Sequence, residues 1–239
     1  MIPKLTALRI LVLCCASVLP TLAWGDACQT TSVSNLIGTS CNIGDVTYAF
    51  GNSAFSSESV INSVTGPGIT ASSLILTPDS SDPQHPSFTI SGPLIVTAVG
   101  LGNSTQQMFT LLWTATPTSS SVVFGSATNT LINTLVPGTP SFGLVSAGNN
   151  LGDPSFTNAI VQTGGPNLNP DSTSLDSFAS IPLDGLFANL FASDGTGLGA
   201  TASVDGLSYQ YDMVPVPEPL TPVLLVGFLA FLLIKKLRP

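Results

Sequence analysis

Apolar and polar residues alternate with a period of two in several segments of this 239-residue chain, and this pattern restricts the fold more than any other feature. Successive side chains of a β-strand point to opposite faces, so such a segment buries one face and exposes the other. The apolar residues of the two clearest segments are Leu207, Tyr209, Tyr211 and Met213 in one and Phe109, Leu111, Trp113 and Ala115 in the other. Both segments are therefore predicted strands.

Shorter strand patterns recur along the rest of the chain. They cover residues 45–50, 74–76, 94–98, 122–124, 131–136, 156–162 and 178–183, and Gly, Pro, Asn and Asp residues separate them. Short strands at such intervals are typical of β-sandwiches and barrels. The sequence predicts an all-β fold over residues 26–213, a single sandwich or jelly-roll-like domain of about 190 residues, which is enough for one core.

Two features of the C-terminal half leave the local structure open. Leu186, Phe187, Leu190 and Phe191 have helical spacing, so a short helix and an irregular strand fit this segment equally well. Pro182 would confine the strand over residues 178–183 to a sheet edge, because proline has no N–H for the ladder.

Three Asp-Gly pairs follow one another at near-regular spacing. They are Asp184-Gly185, Asp194-Gly195 and Asp205-Gly206. Asp-Gly is a strong hairpin-turn signal, so the pairs predict the turns of a meander. The alternative is calcium, which prefers oxygen ligands. The nine-residue pattern of calcium-binding β-rolls and the EF-hand loop are both absent from the sequence.

The charge distribution is extreme. All five Lys and Arg residues lie in the first nine and the last five positions, whereas the segment from Asp26 to Met213 contains only aspartates, Glu58 and His85 as titratable polar residues besides tyrosine and cysteine. Such a segment cannot neutralise phosphates, so nucleic acid is excluded as a partner. It also has no guanidinium group for carboxylate or phosphate substrates.

The N-terminal 25 residues have the features of a secretory signal peptide. Lys4 and Arg9 form a basic region, residues 10–19 are apolar, and small residues follow. We expect a helical signal peptide over residues 1–25 and a mature start near Asp26. A lipid-anchored Cys28 would require Leu at position 25, where Gly25 stands.

Two of the four cysteines, Cys28 and Cys41, lie after the predicted signal peptide. An even pair in an oxidising compartment predicts a disulfide, with two free thiols as the alternative. A loop this short contributes about 3 kcal/mol through chain entropy. Two sulfur atoms and one distant histidine do not make a tetrahedral zinc shell. No cofactor is predicted.

The last 24 residues, 216–239, contain three parts in sequence. Pro217, Glu218 and Pro219 form a rigid, extended segment, because proline fixes φ and lacks an N–H. A predicted hydrophobic helix follows, with the membrane-segment residues Val223, Leu224, Leu225, Val226, Phe228, Leu229, Phe231, Leu232, Leu233 and Ile234. Pro222 shortens it below the roughly 20 residues of a full span. The basic residues Lys235, Lys236 and Arg238 come last and should stay on the cytoplasmic side.

This tail, residues 214–239, resembles the PEP-CTERM sorting signal of Gram-negative bacteria, which is also labelled as the C-terminal domain of ice-binding proteins. The resemblance implies that an exosortase, a membrane cysteine protease, recognises and removes the tail. It further implies transient residence in the inner membrane and then a place at the cell surface or in the exopolysaccharide matrix. An ordinary C-terminal membrane anchor is the alternative. The ice-binding label implies no activity here, because the sequence shows no regular Thr-x-Thr ladder.

No catalytic set is evident, so we expect a protein that is not an enzyme. His85 is the only histidine and stands in a predicted loop, no Gly-x-Ser-x-Gly elbow is present, and Glu58 is the only glutamate between the two signals. The sequence favours a structural or interaction protein of the exopolysaccharide or biofilm. A carbohydrate-binding module with Trp113, Tyr209 or Tyr211 as stacking platforms is the alternative, although alternation places these rings on core faces. A secreted hydrolase is the weakest hypothesis.

Overall fold

A computed structural model describes residues 26–61, 68–137, 141–150, 157–163, 171–178 and 180–216. The predicted signal peptide and all of the predicted sorting motif, membrane segment and basic residues lie outside this part of the chain. In chain order the elements are β1 (Thr31–Ser32), α1 (Val33–Leu36), β2 (Ser40–Ile43), β3 (Val46–Ala49), β4 (Phe55–Ile61), β5 (Ile75–Asp79), β6 (Ser87–Ser91), β7 (Ile95–Ala98), β8 (Ser104–Pro117), β9 (Val122–Leu135), β10 (Phe142–Asn150), β11 (Thr157–Thr163), β12 (Asp171–Phe178), β13 (Ile181–Ser193) and β14 (Ala200–Pro215).

The strands form two antiparallel sheets of seven strands each. The first sheet has the order β11-β10-β13-β8-β3-β2, with β4 pairing with β8 alongside β3. The second sheet has the order β1-β5-β6-β14-β9-β12, with β7 pairing with β14 alongside β6. The predicted all-β sandwich is confirmed, and α1 is the only helix among the described residues.

The core lies between the sheets and follows the alternation of the sequence. On β8 every odd-numbered residue from Thr105 to Ala115 is buried, and on β14 Leu207, Tyr209 and Tyr211 are buried as predicted. Complete burial of one large apolar side chain contributes about 1.5–3 kcal/mol. Aromatic rings from both sheets meet at the centre, with Trp113 edge-on to Phe88 at 5.3 Å and to Tyr209 at 5.1 Å between ring centroids. Such pairs add about 0.5–1.5 kcal/mol each.

The predicted disulfide between Cys28 and Cys41 is confirmed. It joins the segment after the predicted signal peptide to β2, and the same segment is held by a hydrogen bond of 2.8 Å from Cys28 N to Asn42 O. A second one, of 2.9 Å, runs from Asn42 N to Asp26 O. The covalent link and the two backbone bonds fix the start of the described chain against the first sheet.

The prediction of three Asp-Gly hairpin turns is wrong. Asp184-Gly185 lies inside β13 and Asp205-Gly206 inside β14, while Asp194-Gly195 lies in the loop that crosses from the first sheet to the second. Long-range pairing overrides the local turn preference at the two internal pairs. Glycine suits position 206 inside the strand, because a Cβ there would make tight contacts with Thr89 Cγ2 at 3.0 Å and Ile90 O at 3.3 Å.

Three further details of the predicted strands differ. Pro182 does not mark an edge strand, because β13 lies between β10 and β8 and tolerates the proline at an irregularity of its ladder with β8. Residues 186–191 are part of β13, which settles the helix-or-strand alternative. The segments 122–124 and 131–136 belong to the single strand β9. Among the described residues no helix is long and apolar enough to cross a membrane.

Candidate functional site

The three aromatic residues considered as carbohydrate platforms are core residues. Trp113 is 1% exposed, and Tyr209 and Tyr211 are fully buried. Their place on core faces, which the alternation predicted, is confirmed. A sugar ring cannot reach a buried side chain, so the alternative of a binding module built on these three residues is wrong. The reason is the alternation itself, which turns all three rings toward the opposite sheet.

These rings surround a buried carboxyl group, Asp184. Its Oδ2 accepts hydrogen bonds from the hydroxyl groups of Tyr209, at 2.5 Å, and Tyr211. Trp113 Nε1 donates to the Tyr211 hydroxyl oxygen at 3.0 Å, which extends the network by one ring. Asp184 Oδ1 accepts from the Gly185 N–H at 2.7 Å. Both carboxyl oxygens therefore have donors although the side chain is completely buried.

A β-bulge places Asp184 in the core. Ile181 pairs with Ala115 and Asp184 pairs with Trp113, so β13 uses three residue steps where β8 uses two. The extra residue shifts the alternation by one position, and both Ile181 and Asp184 point inward. A regular strand would instead have turned Asp184 to the outer face.

Burial raises the pKa of Asp184 to about 7, even though the hydrogen bonds from Tyr209, Tyr211 and Gly185 act in the opposite direction. Burial, with a smaller effect of the Asp184 charge, also raises the pKa of Tyr48 well above its usual value. The Tyr48 hydroxyl is buried within this cluster without a hydrogen-bond partner. Because none of these groups reaches the surface, the cluster acts on stability rather than on a substrate.

His85 lies at the surface, as predicted, and is joined to two carboxylates. Its side chain is 47% exposed, Nδ1 lies 2.8 Å from Asp82 Oδ2, and Nε2 lies 3.7 Å from Asp212 Oδ1. The hydrogen bond with Asp82 raises the pKa of His85 above its usual value. The Ser126 hydroxyl donates to Asp212, one of these two carboxylates. The arrangement therefore does not form a Ser-His-Asp relay.

Asp194 organises the loop between β13 and β14 together with the loop before β8. Its Oδ2 accepts from the N–H groups of Gly100 and Gly199, each at 2.9 Å. Its Oδ1 accepts from the N–H groups of Thr196 and Gly197 and from the Thr196 hydroxyl, at 2.8–3.0 Å. Although burial alone would raise it, these hydrogen bonds lower the pKa of Asp194 to about 2.

The calcium alternative has no support at this loop, because N–H and hydroxyl donors occupy both Asp194 oxygens. In the described ranges no three His, Cys, Asp or Glu side chains come together as a metal-binding group. Gly197 and Gly199 have φ of 79° and 99°, a conformation that other residues rarely adopt. These glycines therefore allow the positive φ angles that the loop requires.

The outer faces of the two sheets differ in chemistry. The central strands of the second sheet present hydroxyl and amide groups, from Thr77, Ser87, Thr89, Thr128, Thr130, Ser208 and Gln210. Among the described side chains, all the aromatic rings of that sheet are buried. The outer face of the second sheet also exposes the aliphatic side chains of Ile75, Ile95 and Leu135. The first sheet differs because aromatic rings join the apolar side chains of its outer face, which are Met108, Leu112, Phe142, Leu144, Phe187 and Phe191.

Three phenylalanines and two amides on this outer face form what we call the aromatic face, defined as Phe142, Phe187, Phe191, Gln106 and Asn189. Phe142 is 49% exposed, and the other four residues are partly exposed. The rings of Phe142 and Phe191 contact each other at 5.9 Å between centroids. Phe187 lies four residues before Phe191 on β13, about 13 Å away at the usual rise of a strand.

The two amides of the aromatic face lie between its rings. Gln106 pairs with Phe191 across β8 and β13, and Asn189 stands midway between Phe187 and Phe191. Gln106 Nε2 donates to Asn189 Oδ1 at 2.9 Å. This bond uses neither the Gln106 carbonyl oxygen nor the Asn189 amino group, so the amide pair has both an acceptor and a donor group beside the rings.

A groove continues the aromatic face toward β4. It has a volume of about 300 Å³ and is lined by Ser56, Ser57, Glu58, Met108, Phe109 and Thr110. Glu58 pairs with Met108, which pairs with Asn189, so the Glu58 carboxylate lies in the same row as the amide. The first sheet therefore presents rings, amides, hydroxyls and one carboxylate on one continuous surface.

The aromatic face was missed from sequence because its neighbours are also apolar. Phe187 and Phe191 alternate with Ala188 and Leu190, which are buried. Both faces of this strand are thus apolar, and the period of two cannot be read there. Pairing with β8, whose Gln106, Met108 and Thr110 face the same way, is what identifies the outer side.

No protein-family profile matches this chain, and no curated protein matches it. The solved structures that resemble it weakly include the following two. TmCBM61 in complex with beta-1,4-galactotriose is 6% identical, with 60% of this chain and 87% of that chain covered and a TM-score of 0.23. The enzymatically active domain of tailspike protein 4 of bacteriophage CBA120 is 10% identical, with 69% of this chain and 20% of that chain covered and a TM-score of 0.20. Similarity at this level carries no functional argument.

Proposed function

We propose that this chain is an exported, non-catalytic protein of the cell surface or the exopolysaccharide matrix, delivered through its C-terminal sorting signal. The observation that carries the proposal is the three-part order of residues 216–239: Pro-Glu-Pro, an apolar segment, and Lys235, Lys236 and Arg238. Its partners are an exosortase, the inner membrane as a precursor, and the exopolysaccharide.

Two structural features support the delivery route. β14 ends at Pro215, and the sorting motif begins two residues later at Pro217, so the motif follows the folded domain without a linker. The Cys28–Cys41 disulfide is typical of proteins outside the cytoplasm. A folded, disulfide-bonded domain directly before the motif suits a precursor that is held at the membrane and then released.

The non-catalytic role rests on how the titratable groups are arranged. Asp184 is buried, Asp194 is engaged by loop donors, and His85 contacts the carboxylates of Asp82 and Asp212. A secreted hydrolase would need a pair of carboxylates positioned for catalysis or an activated nucleophile. Asp82 and Asp212 are accessible, but each already has both oxygens engaged by nearby donors, with His85 on Asp82 and the Ser126 hydroxyl on Asp212.

Changes in different parts of the tail should disturb different steps of export. Glu218→Ala should leave a membrane-bound, uncut protein, because the recognition motif is damaged while the apolar segment is intact. Changing Lys235, Lys236 and Arg238 to Glu should disturb insertion, because the cytoplasmic end loses its positive charge. Cell fractionation with immunoblotting measures both results.

The matched control for Glu218→Ala is Glu58→Ala, the other glutamate of the chain, which lies on β4 far from the tail in sequence. The control should be processed like the parent chain. Normal processing of Glu218→Ala would contradict the role of the Pro-Glu-Pro segment, and unchanged insertion of the basic-to-Glu variant would contradict the role of the charges.

A further inference from the structure

The outer face of the first sheet holds an aromatic surface that the proposed sorting route does not use. We propose that the aromatic face and the adjoining groove bind an uncharged polysaccharide chain. This inference deepens the proposed function, on which it rests, because it names the chemistry of the matrix partner. It places the contact on Phe142, Phe187, Phe191, Gln106 and Asn189.

The contrast between the two outer faces is the first argument. Exposed apolar side chains that occur singly need no explanation, but a continuous patch marks an interaction site. On the first sheet the rings of Phe142 and Phe191 touch each other, and Leu144 pairs with Phe191 on the neighbouring strand. On the second sheet the described aromatic rings are all buried. The same sandwich thus hides its rings on one side and presents them on the other.

The mixture of groups on the aromatic face fits a sugar chain. The face of an aromatic ring carries negative partial charge, which suits the C–H groups of a pyranose. Gln106 and Asn189 supply amide acceptors and donors beside the rings, and Glu58 supplies a carboxylate that accepts from hydroxyl groups. Apolar rings with a few fixed polar groups are the usual composition of a ligand site.

Charge decides which kind of chain binds. The segment from Asp26 to Met213 contains no Lys or Arg, and the groove beside the face is bordered by Glu58. An anionic polysaccharide or a nucleic acid would be repelled without any compensating cation. A second copy of this acidic domain would be repelled for the same reason. An uncharged, hydroxyl-rich chain is complementary to a surface whose polar groups are amides, hydroxyls and one carboxylate.

The test uses affinity electrophoresis of the full chain in a polyoxyethylene detergent, which has no sugar headgroup. The probes are soluble neutral glucans, mannans and galactans, with alginate as the acidic probe and glycol chitosan as the cationic one, all at physiological salt. We expect retardation by at least one neutral polysaccharide and none by alginate. No retardation by any neutral probe, or retardation by glycol chitosan alone, would overturn the proposal.

Variants locate the binding surface. Phe191→Ala should weaken binding about tenfold or more, which is the usual loss for an aromatic anchor, whereas Phe191→Tyr keeps the ring and should bind like the parent. Leu135→Ala is the matched control, because Leu135 is an exposed apolar residue of the second sheet, 59% exposed. Circular dichroism confirms that each variant is folded. Equal binding by Phe191→Ala and the parent would place the ligand elsewhere and overturn the assignment.

Two further measurements distinguish glycan binding from self-association of the chain and from the sorting proposal. Light scattering during size-exclusion chromatography measures the mass of the parent chain and of Phe191→Ala, and a parent dimer that Phe191→Ala dissociates would show that the face is a self-contact. Tail processing is measured independently. A parent chain that is processed normally but binds no neutral glycan contradicts this inference alone, and a parent chain that binds a neutral glycan but keeps its tail uncut contradicts the sorting proposal alone.

Discussion

At the scale of single residues, the most consequential position is Asp184. A carboxyl group with no exposure to water is held among Trp113, Tyr209 and Tyr211, and the β-bulge of β13 puts it there. Three donors satisfy its oxygens, yet burial still dominates and keeps the pKa near 7. Because the β-bulge buries a carboxyl group that titrates near neutral pH, the free energy of unfolding should depend on pH.

The Asp184 carboxyl should make the protein more stable in weak acid. Its pKa is about 7 when folded and about 4 when unfolded. The folded state therefore binds the proton more tightly, and this contribution is fully present below about pH 4 and is lost as the pH rises through 7. The loss is on the order of 4 kcal/mol. Urea unfolding of the parent and of Asp184→Asn between pH 4 and 8 measures the difference.

The Asp184→Asn variant is neutral at every pH, so the difference in free energy of unfolding between the two proteins should change across that window. A difference that stays constant from pH 4 to pH 8 would show that Asp184 titrates alike in both states. The remaining pH dependence, from exposed groups such as His85, is common to both proteins and cancels in the comparison.

Tyr48 and Tyr209 should respond oppositely to loss of the hydroxyl. The Tyr48 hydroxyl is buried without a partner, so Tyr48→Phe removes an unsatisfied group and should raise the free energy of unfolding by about 1 kcal/mol. Tyr209→Phe removes a donor from Asp184 and should lower it by about 1–3 kcal/mol. Chemical denaturation of both variants measures this, and a lower stability of Tyr48→Phe would reveal a partner for its hydroxyl.

At the scale of elements, alternation was sufficient wherever one face of a strand is polar. β3, β8 and β14 were all predictable for this reason, because their apolar residues stand at every second position. β13 was not, since its inner face has Leu186, Ala188 and Leu190 while its outer face has Phe187 and Phe191. Period-based prediction fails where both faces are apolar.

The Asp-Gly pairs show a second limit at the same scale. The dipeptide favours a turn locally, yet two of the three pairs stand inside strands, where Asp184 accepts core hydrogen bonds and Gly206 leaves room for Thr89. Both contacts involve residues that are far away in sequence, so the dipeptide alone does not reveal them. The aromatic face depends in the same way on the register of β8, β10 and β13, so only the folded chain could bring its five residues together.

At the scale of the whole molecule, three regions have different roles. The sandwich provides stability, the aromatic face is the proposed contact surface, and the residues before and after the domain form the predicted export signals. The absence of Lys and Arg from the segment between Asp26 and Met213 affects two of these regions. It disfavours anionic partners at the aromatic face, and it leaves all positive side-chain charges of Lys and Arg in the two predicted signals. Above all, we propose that this domain is exported and cut from its tail.

The intact mass of the protein recovered from the surface fraction of its host tests this claim most directly. We expect a chain that starts near Asp26, contains the Cys28–Cys41 disulfide and lacks the apolar and basic residues after the Pro-Glu-Pro motif. In a host without its exosortase, the same protein should keep the tail and remain with the inner membrane. Surface protein that still carries residues 220–239 while the exosortase is present would contradict the account and identify the tail as a permanent anchor.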